Sequence, residues 1–166
     1  MNTLIIVLRW IHILSGVFWV GSSIFLGVFV SPAVAATADA GQKFMAYLVM
    51  KSKITLQITI AAILTVLAGC SLYVIDANLT SGWASTPEGW GFSLGGFFGI
   101  IGFIFGIFVG RNVGILGRIA SEVQGKPTTE QMDRIKKAQA QMKIVAPASM
   151  FALILTLTCM ATAAYW

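Results

Sequence analysis

Charge is scarce in this sequence: Asp, Glu, Lys and Arg make up 10% of 166 residues, against 57% that are hydrophobic. With a mean hydropathy of +0.86, that balance excludes an ordinary soluble domain. There is one histidine, His12, and there are two cysteines, Cys70 and Cys159. So few His and Cys ligands cannot make a metal site of the usual close spacing. The hydrophobic runs hold no paired carboxylates, and no phosphate-binding glycine loop occurs, which removes two further catalytic arrangements. Any Ser-His or Cys-His catalysis would have to use His12. Its neighbour Ser15 is a poor nucleophile, because hydroxyls in membrane helices commonly bond to backbone carbonyls. No Pro-, Gly- or Ser-rich linker divides the chain, so one domain over 1–166 is expected.

What the sequence does have is long hydrophobic runs. Four stretches, 4–30, 54–75, 91–116 and 144–166, are long enough to cross a hydrocarbon core of about 30 Å, which takes roughly 20 helical residues. The expected fold is all-α, an integral membrane antiparallel four-helix bundle. Ahead of the fourth span, Thr128 and Gln131 are spaced as a capping box, and Met132, Ile135, Ala138 and Met142 follow at helical spacing. A short interfacial helix is expected there.

The net charge of +5 is distributed by position and forms no separate basic surface, so no nucleic-acid partner is expected. Arg111, Arg118, Lys126, Arg134, Lys136, Lys137 and Lys143 lie around the third connection, and Lys43, Lys51 and Lys53 lie in the first. The second connection, 77–90, has no Lys or Arg and contains Glu88. By the positive-inside rule the basic connections are cytoplasmic and both termini lie outside, in a bacterial inner membrane. Small-residue sites such as Ala33-Val34-Ala35 resemble signal-peptide cleavage sites, but the apolar stretch before them is nearly twice the usual length. The cysteines fall within spans two and four, where a disulfide and plain apolar packing are both open. Trp83, Trp90, Tyr73, Tyr165 and Trp166 are placed as interfacial anchors.

In span three, Gly102, Gly106, Gly110 and Gly114 recur every fourth residue. Tandem small-residue spacing of this kind admits a second helix backbone. The ridge is expected to serve either packing within the monomer or contact with a homo-oligomer partner or larger membrane complex; lipid covers the rest.

His12 carries the most specific signal. An ionisable group inside a membrane span is by default a functional hypothesis. Arg9, His12, Gly16, Trp19 and Ser23 follow one another at three or four residues and make one helix stripe. A nitrogen donor, a small residue one turn away and a nearby guanidinium are what a flat anionic ligand such as haem requires. A neutral imidazole hydrogen-bonded to a neighbouring helix is the plainer alternative.

Arg9-Trp10-Ile11-His12, three residues, Gly16, two residues, then Trp19-Val20-Gly21-Ser22-Ser23 resembles the first helix of the membrane domain of bacterial urate oxidases of the cytochrome-fused type. More broadly it resembles the superfamily of copper-resistance D membrane proteins and bacterial four-helix protoporphyrinogen oxidases. The resemblance implies that His12 is a haem b or metal ligand and Arg9 its propionate partner. Members of those families usually carry further histidines, and this chain has none, so urate oxidation is not implied. A second axial ligand is sought at the depth of His12, which from helical rise reaches 67–70 in span two and 158–160 in span four. Met160 is the leading candidate; Cys70, Cys159, an open position or a second His12 across a dimer stay open. The expected function is b-type haem binding with one-electron transfer, Gly16 giving the ring clearance and Trp19 packing on it. The alternative is an accessory transmembrane subunit of a respiratory or photosynthetic complex. Copper or solute passage is weaker, because the spans lack a chain of Met, His or acidic residues.

Overall fold

In a computed structural model, which describes residues 3–123 and 126–166, the protein is almost entirely helical. Helix α1 covers Thr3–Phe25 and continues through a π-helical turn, Leu26–Val30, into α2, Ser31–Ala36. Pro32 falls in the first turn of α2, directly after the π-helical turn, a place where the regular hydrogen-bond ladder is already interrupted. After Thr37 comes α3, Ala38–Met50, then α4, Ile54–Leu79, α5, Pro87–Glu122, and α6, Thr129–Thr162. Four of these runs, Thr3–Ala36, Ile54–Leu79, Pro87–Glu122 and Thr129–Tyr165, are long and apolar enough to span a membrane. The protein is an all-α, multi-pass membrane bundle.

The helix boundaries correct one expectation and give one connection a structure. The capping box at Thr128 and Gln131 is present, yet the helix it starts does not stop at the membrane surface. It runs unbroken into the fourth span, with Pro147 inside it. The amphipathic segment is therefore the first third of α6, because no glycine or second cap intervenes. The connection between spans one and two is itself helical. Within α3, half-buried Met45, Leu48 and Val49 recur at helical spacing, and Val49 packs on Gly117 of α5.

The most extensive pairings are α5 with α6 and α1 with α4. Both are antiparallel. Gly91, Gly95, Gly99 and Gly102 of α5 meet Ala163, Met160, Thr156 and Leu153 in turn, so numbers rise on one helix as they fall on the other. Likewise Gly16 of α1 meets Thr65, and His12 meets Gly69 further along α4. The two pairs join around a core of Trp19, Val20, Ala61, Ala62 and Leu153, with Trp19 edge-on to Phe103 of α5 at 6.1 Å.

The glycine ridge does not present one face. Gly102 lies against Leu153 and Gly106 faces Ser149, both on α6, whereas Gly110 meets Thr55 of α4 and Gly114 faces open space. A strict four-residue repeat on a helix of 3.6 residues per turn drifts by about 40° at each step. Ser149 Oγ also donates a hydrogen bond to Gly102 O at 3.0 Å, a polar contact of the kind that holds membrane helices together.

A Cβ at Gly91 would stand 2.7 Å from Ala163 Cβ and 2.8 Å from its Cα, whereas one at Gly96 meets nothing within 4 Å. Gly91→Ala is therefore expected to destabilise the bundle by about 1–3 kcal/mol, since backbone must move. Gly96→Ala should be neutral or stabilising by up to about 1 kcal/mol through helix propensity. Thermal unfolding of the two variants in one detergent measures the difference.

Candidate functional site

His12 faces α4. Its Nδ1 lies 2.8 Å from Thr65 O, and since a carbonyl only accepts, Nδ1 carries the proton and donates. With Nδ1 engaged in this way, Nε2 is the ring nitrogen left for any other partner, the second-contact arrangement that metal-ligating histidines use. Among the described residues no buried side-chain nitrogen or oxygen lacks a partner. Nε2 makes no hydrogen bond, so it reaches the surface of the bundle. Within one turn, Ser15 Oγ lies 2.8 Å from Thr65 Oγ1, and Thr65 Oγ1 also reaches Ala61 O at 2.7 Å. Ser15 Oγ further reaches Ile11 O. Two hydroxyl protons serve these three contacts, so only two are hydrogen bonds at a time. Thr65 is buried, and its backbone and side chain tie α4 to α1 at three residues' width.

Small residues make that approach possible. A Cβ at Gly69 would stand 2.7 Å from His12 Cε1 and 2.9 Å from Nδ1, so the imidazole occupies the space that a side chain at 69 would fill. The depth estimated from helical rise, 67–70, is where the ring meets α4.

The other residues of the stripe are placed differently. Arg9 is exposed one turn from His12 and is free to carry its charge along the helix surface toward water. Gly16, expected to leave clearance for a ring, faces α4 instead: a Cβ there would meet Thr65 Cγ2 in ordinary contact at 3.4 Å. Trp19, expected against a ring, is buried and packs on Phe103. Met160 is seated over Gly95 of α5, its Cγ 2.6 Å from where a Cβ would be. His12 and Met160 thus occupy different seams, α1 with α4 and α5 with α6. Cys70 is exposed and Cys159 half-buried, both as free thiols. Among the described residues no group of three or more His, Cys, Asp or Glu side chains converges as a metal site.

The residues that the sequence reading missed are Thr65 and Gly69. Their signal was present in the spacing of Ala61, Ala62, Thr65, Ala68 and Gly69, a run of small side chains that admits a neighbouring backbone.

Comparison with protein-family models, curated proteins and solved structures returns no match. The site is therefore read from its own geometry and from the first-helix resemblance.

Gly69→Ala is expected to displace the imidazole from Thr65 O and to cost about 1–3 kcal/mol, and His12→Ala about 1 kcal/mol. The double variant should cost less than their sum, because removing the ring makes room for the new methyl. A double-mutant cycle on thermal unfolding reads this coupling; strict additivity would mean that the two residues do not touch.

Proposed function

We propose that this protein is a b-type haem-binding membrane protein of a bacterial inner membrane, with both termini outside, taking part in one-electron transfer. The observation that carries the reading is the contact between His12 Nδ1 and Thr65 O. A hydrogen bond from Nδ1 to Thr65 O orients the ring and leaves Nε2 as donor toward the bundle surface, the arrangement that metal-ligating histidines share. The resemblance of the first helix points the same way.

The fit to haem holds at His12 and Arg9 and departs at three other positions. Gly16, Trp19 and Met160 are engaged by Thr65, Phe103 and Gly95. In this reading His12 binds iron through Nε2, Arg9 supplies a cation for a propionate, and Gly16, Trp19 and Met160 maintain the bundle. Haem, when bound, supplies a one-electron couple. Met160, seated over Gly95 in the other seam, would not serve as a second ligand beside His12.

A second reading, an accessory transmembrane subunit of a larger redox complex, is favoured by α1. The most apolar window of that span is 11% buried, against 17–22% for the other three, and Trp10, Leu14 and Val17 stand exposed along it. A neighbouring subunit would cover this face as readily as lipid does.

The dithionite-reduced minus oxidised spectrum of the detergent-purified protein, with a pyridine haemochrome assay, separates the readings. Haem binding predicts a b-type signal near one haem per chain that His12→Ala removes while the protein stays folded. A colourless, folded protein that copurifies with larger subunits in fixed stoichiometry would establish the accessory role and leave His12 as a packing residue.

A further inference from the structure

At the end of the bundle opposite His12, a cleft of about 420 Å³ is lined by Gly110, Arg111, Gly114, Ile115 and Arg118 of α5 and by Arg134 of α6. Half of its lining residues are arginines, and none is acidic. The acidic residues of this end, Asp39, Glu122, Glu130 and Asp133, do not line it. All three arginines are exposed. Three like charges around one concavity repel, and an anion placed between them relieves that repulsion.

The shape favours a compact anion. Arg111 and Arg118 are two helical turns apart, about 10.5 Å along the axis, and so share one side of α5. Gly114 lies between them with open space above it, forming a floor without a side chain. Arg134 approaches from α6. Guanidiniums bind phosphate through paired N–H donors, so this set matches a phosphate group better than lone ammonium groups would.

The position along the bundle selects the source of that phosphate. From Pro87 to Arg111 the helix rises about 36 Å, slightly more than the roughly 30 Å of hydrocarbon. Arg111 therefore stands where headgroups begin, with Gly110 on the membrane side of the cleft and Ile115 an apolar lining residue between Arg111 and Arg118.

We propose that the Arg111–Arg118–Arg134 cleft binds the phosphate of an anionic phospholipid headgroup in the leaflet at the basic end. Basic pockets between membrane helices hold such headgroups. The site is independent of His12 and of any haem.

Native mass spectrometry of the full-length protein, released from mixed phosphatidylglycerol and phosphatidylcholine micelles, tests it. The wild-type protein should retain phosphatidylglycerol over phosphatidylcholine, and Arg118→Gln/Arg134→Gln should reduce that preference about tenfold or more. Lys43→Gln/Lys51→Gln, which changes charge equally at the other basic connection, should leave it intact. Helicity and elution volume check that each variant is folded, and the single Arg134→Gln variant provides a milder step. Equal retention of both lipids, or a preference that survives in the double arginine variant, overturns the proposal. Pyrophosphate binding that depends on the arginines, without a lipid preference, would assign the cleft to a soluble phosphate and overturn it equally.

Discussion

In hydrocarbon an apolar side chain gains little by leaving lipid for protein, so helices adhere through close backbone approach and the polar contacts that it permits. Everything else in this bundle depends on that constraint, which is met in two ways. Along the α5–α6 seam, Gly91, Gly95, Gly99 and Gly102 each receive a residue of α6, so the seam is held by dispersion over a long interdigitated surface. Along the α1–α4 seam, small residues again set the distance, but the gap is filled by His12, Ser15 and Thr65. One pair is joined by shape and the other partly by hydrogen bonds. Trp19 on Phe103 then links the two pairs.

The polar seam bears on why a histidine stands there. An interhelical hydrogen bond in a membrane is worth on average about 0.6 kcal/mol, and the adjacent Ser15–Thr65 pair already supplies a contact of that kind. A serine or threonine at position 12 would serve as glue without placing an ionisable ring in the membrane. Adhesion alone is thus a weak reason for His12. What the ring adds is a second nitrogen, and the bond to Thr65 O fixes which nitrogen that is.

Much of the fold was legible in the sequence because membrane spans are set by length and hydropathy alone: all four runs correspond to long helices, which at the basic end of α5 and α6 extend well past the apolar stretch. What hydropathy cannot show is where a helix stops in water, so α6 begins at Thr129 rather than at 144, and α3 was read as a connection. The direction in which small residues face was likewise hidden. Gly102 and Gly114 look alike in sequence, yet three steps of drift turn one toward α6 and the other away from it. At the candidate site, the stripe from Arg9 to Ser23 is one helix face, but a face of a membrane helix is shared between a neighbour and lipid. Only the placement of α4 shows that Gly16 faces Thr65. Similarly, Met160 lies at a depth that suits His12 but points into the notch at Gly95, and depth along a helix carries no information about direction.

The unequal lengths of the helices give the bundle two different ends. With 36 and 34 residues, α5 and α6 are each over 50 Å long at about 1.5 Å per residue, far more than the hydrocarbon requires, while α4 has 26 residues. The excess lies at the basic end and carries Arg118 and Arg134. An unsupported helical pair of this kind would be free to splay, and its arginines would hold no fixed relation to one another. Here α3 folds back and packs Val49 onto Gly117, one residue from Arg118, and the chain then turns into α4 through Lys53 in a left-handed conformation. The segment that hydropathy left as a connection is thus the brace that fixes the arginine cleft. At the opposite end the helices are short, the connection is tight, and the aromatic cluster of Tyr73, Trp83 and Phe92 closes the bundle. Arg9 is the one arginine near the histidine seam, whereas Arg111, Arg118 and Arg134 gather around one cleft at the braced end, so the two ends differ in charge as well as in length.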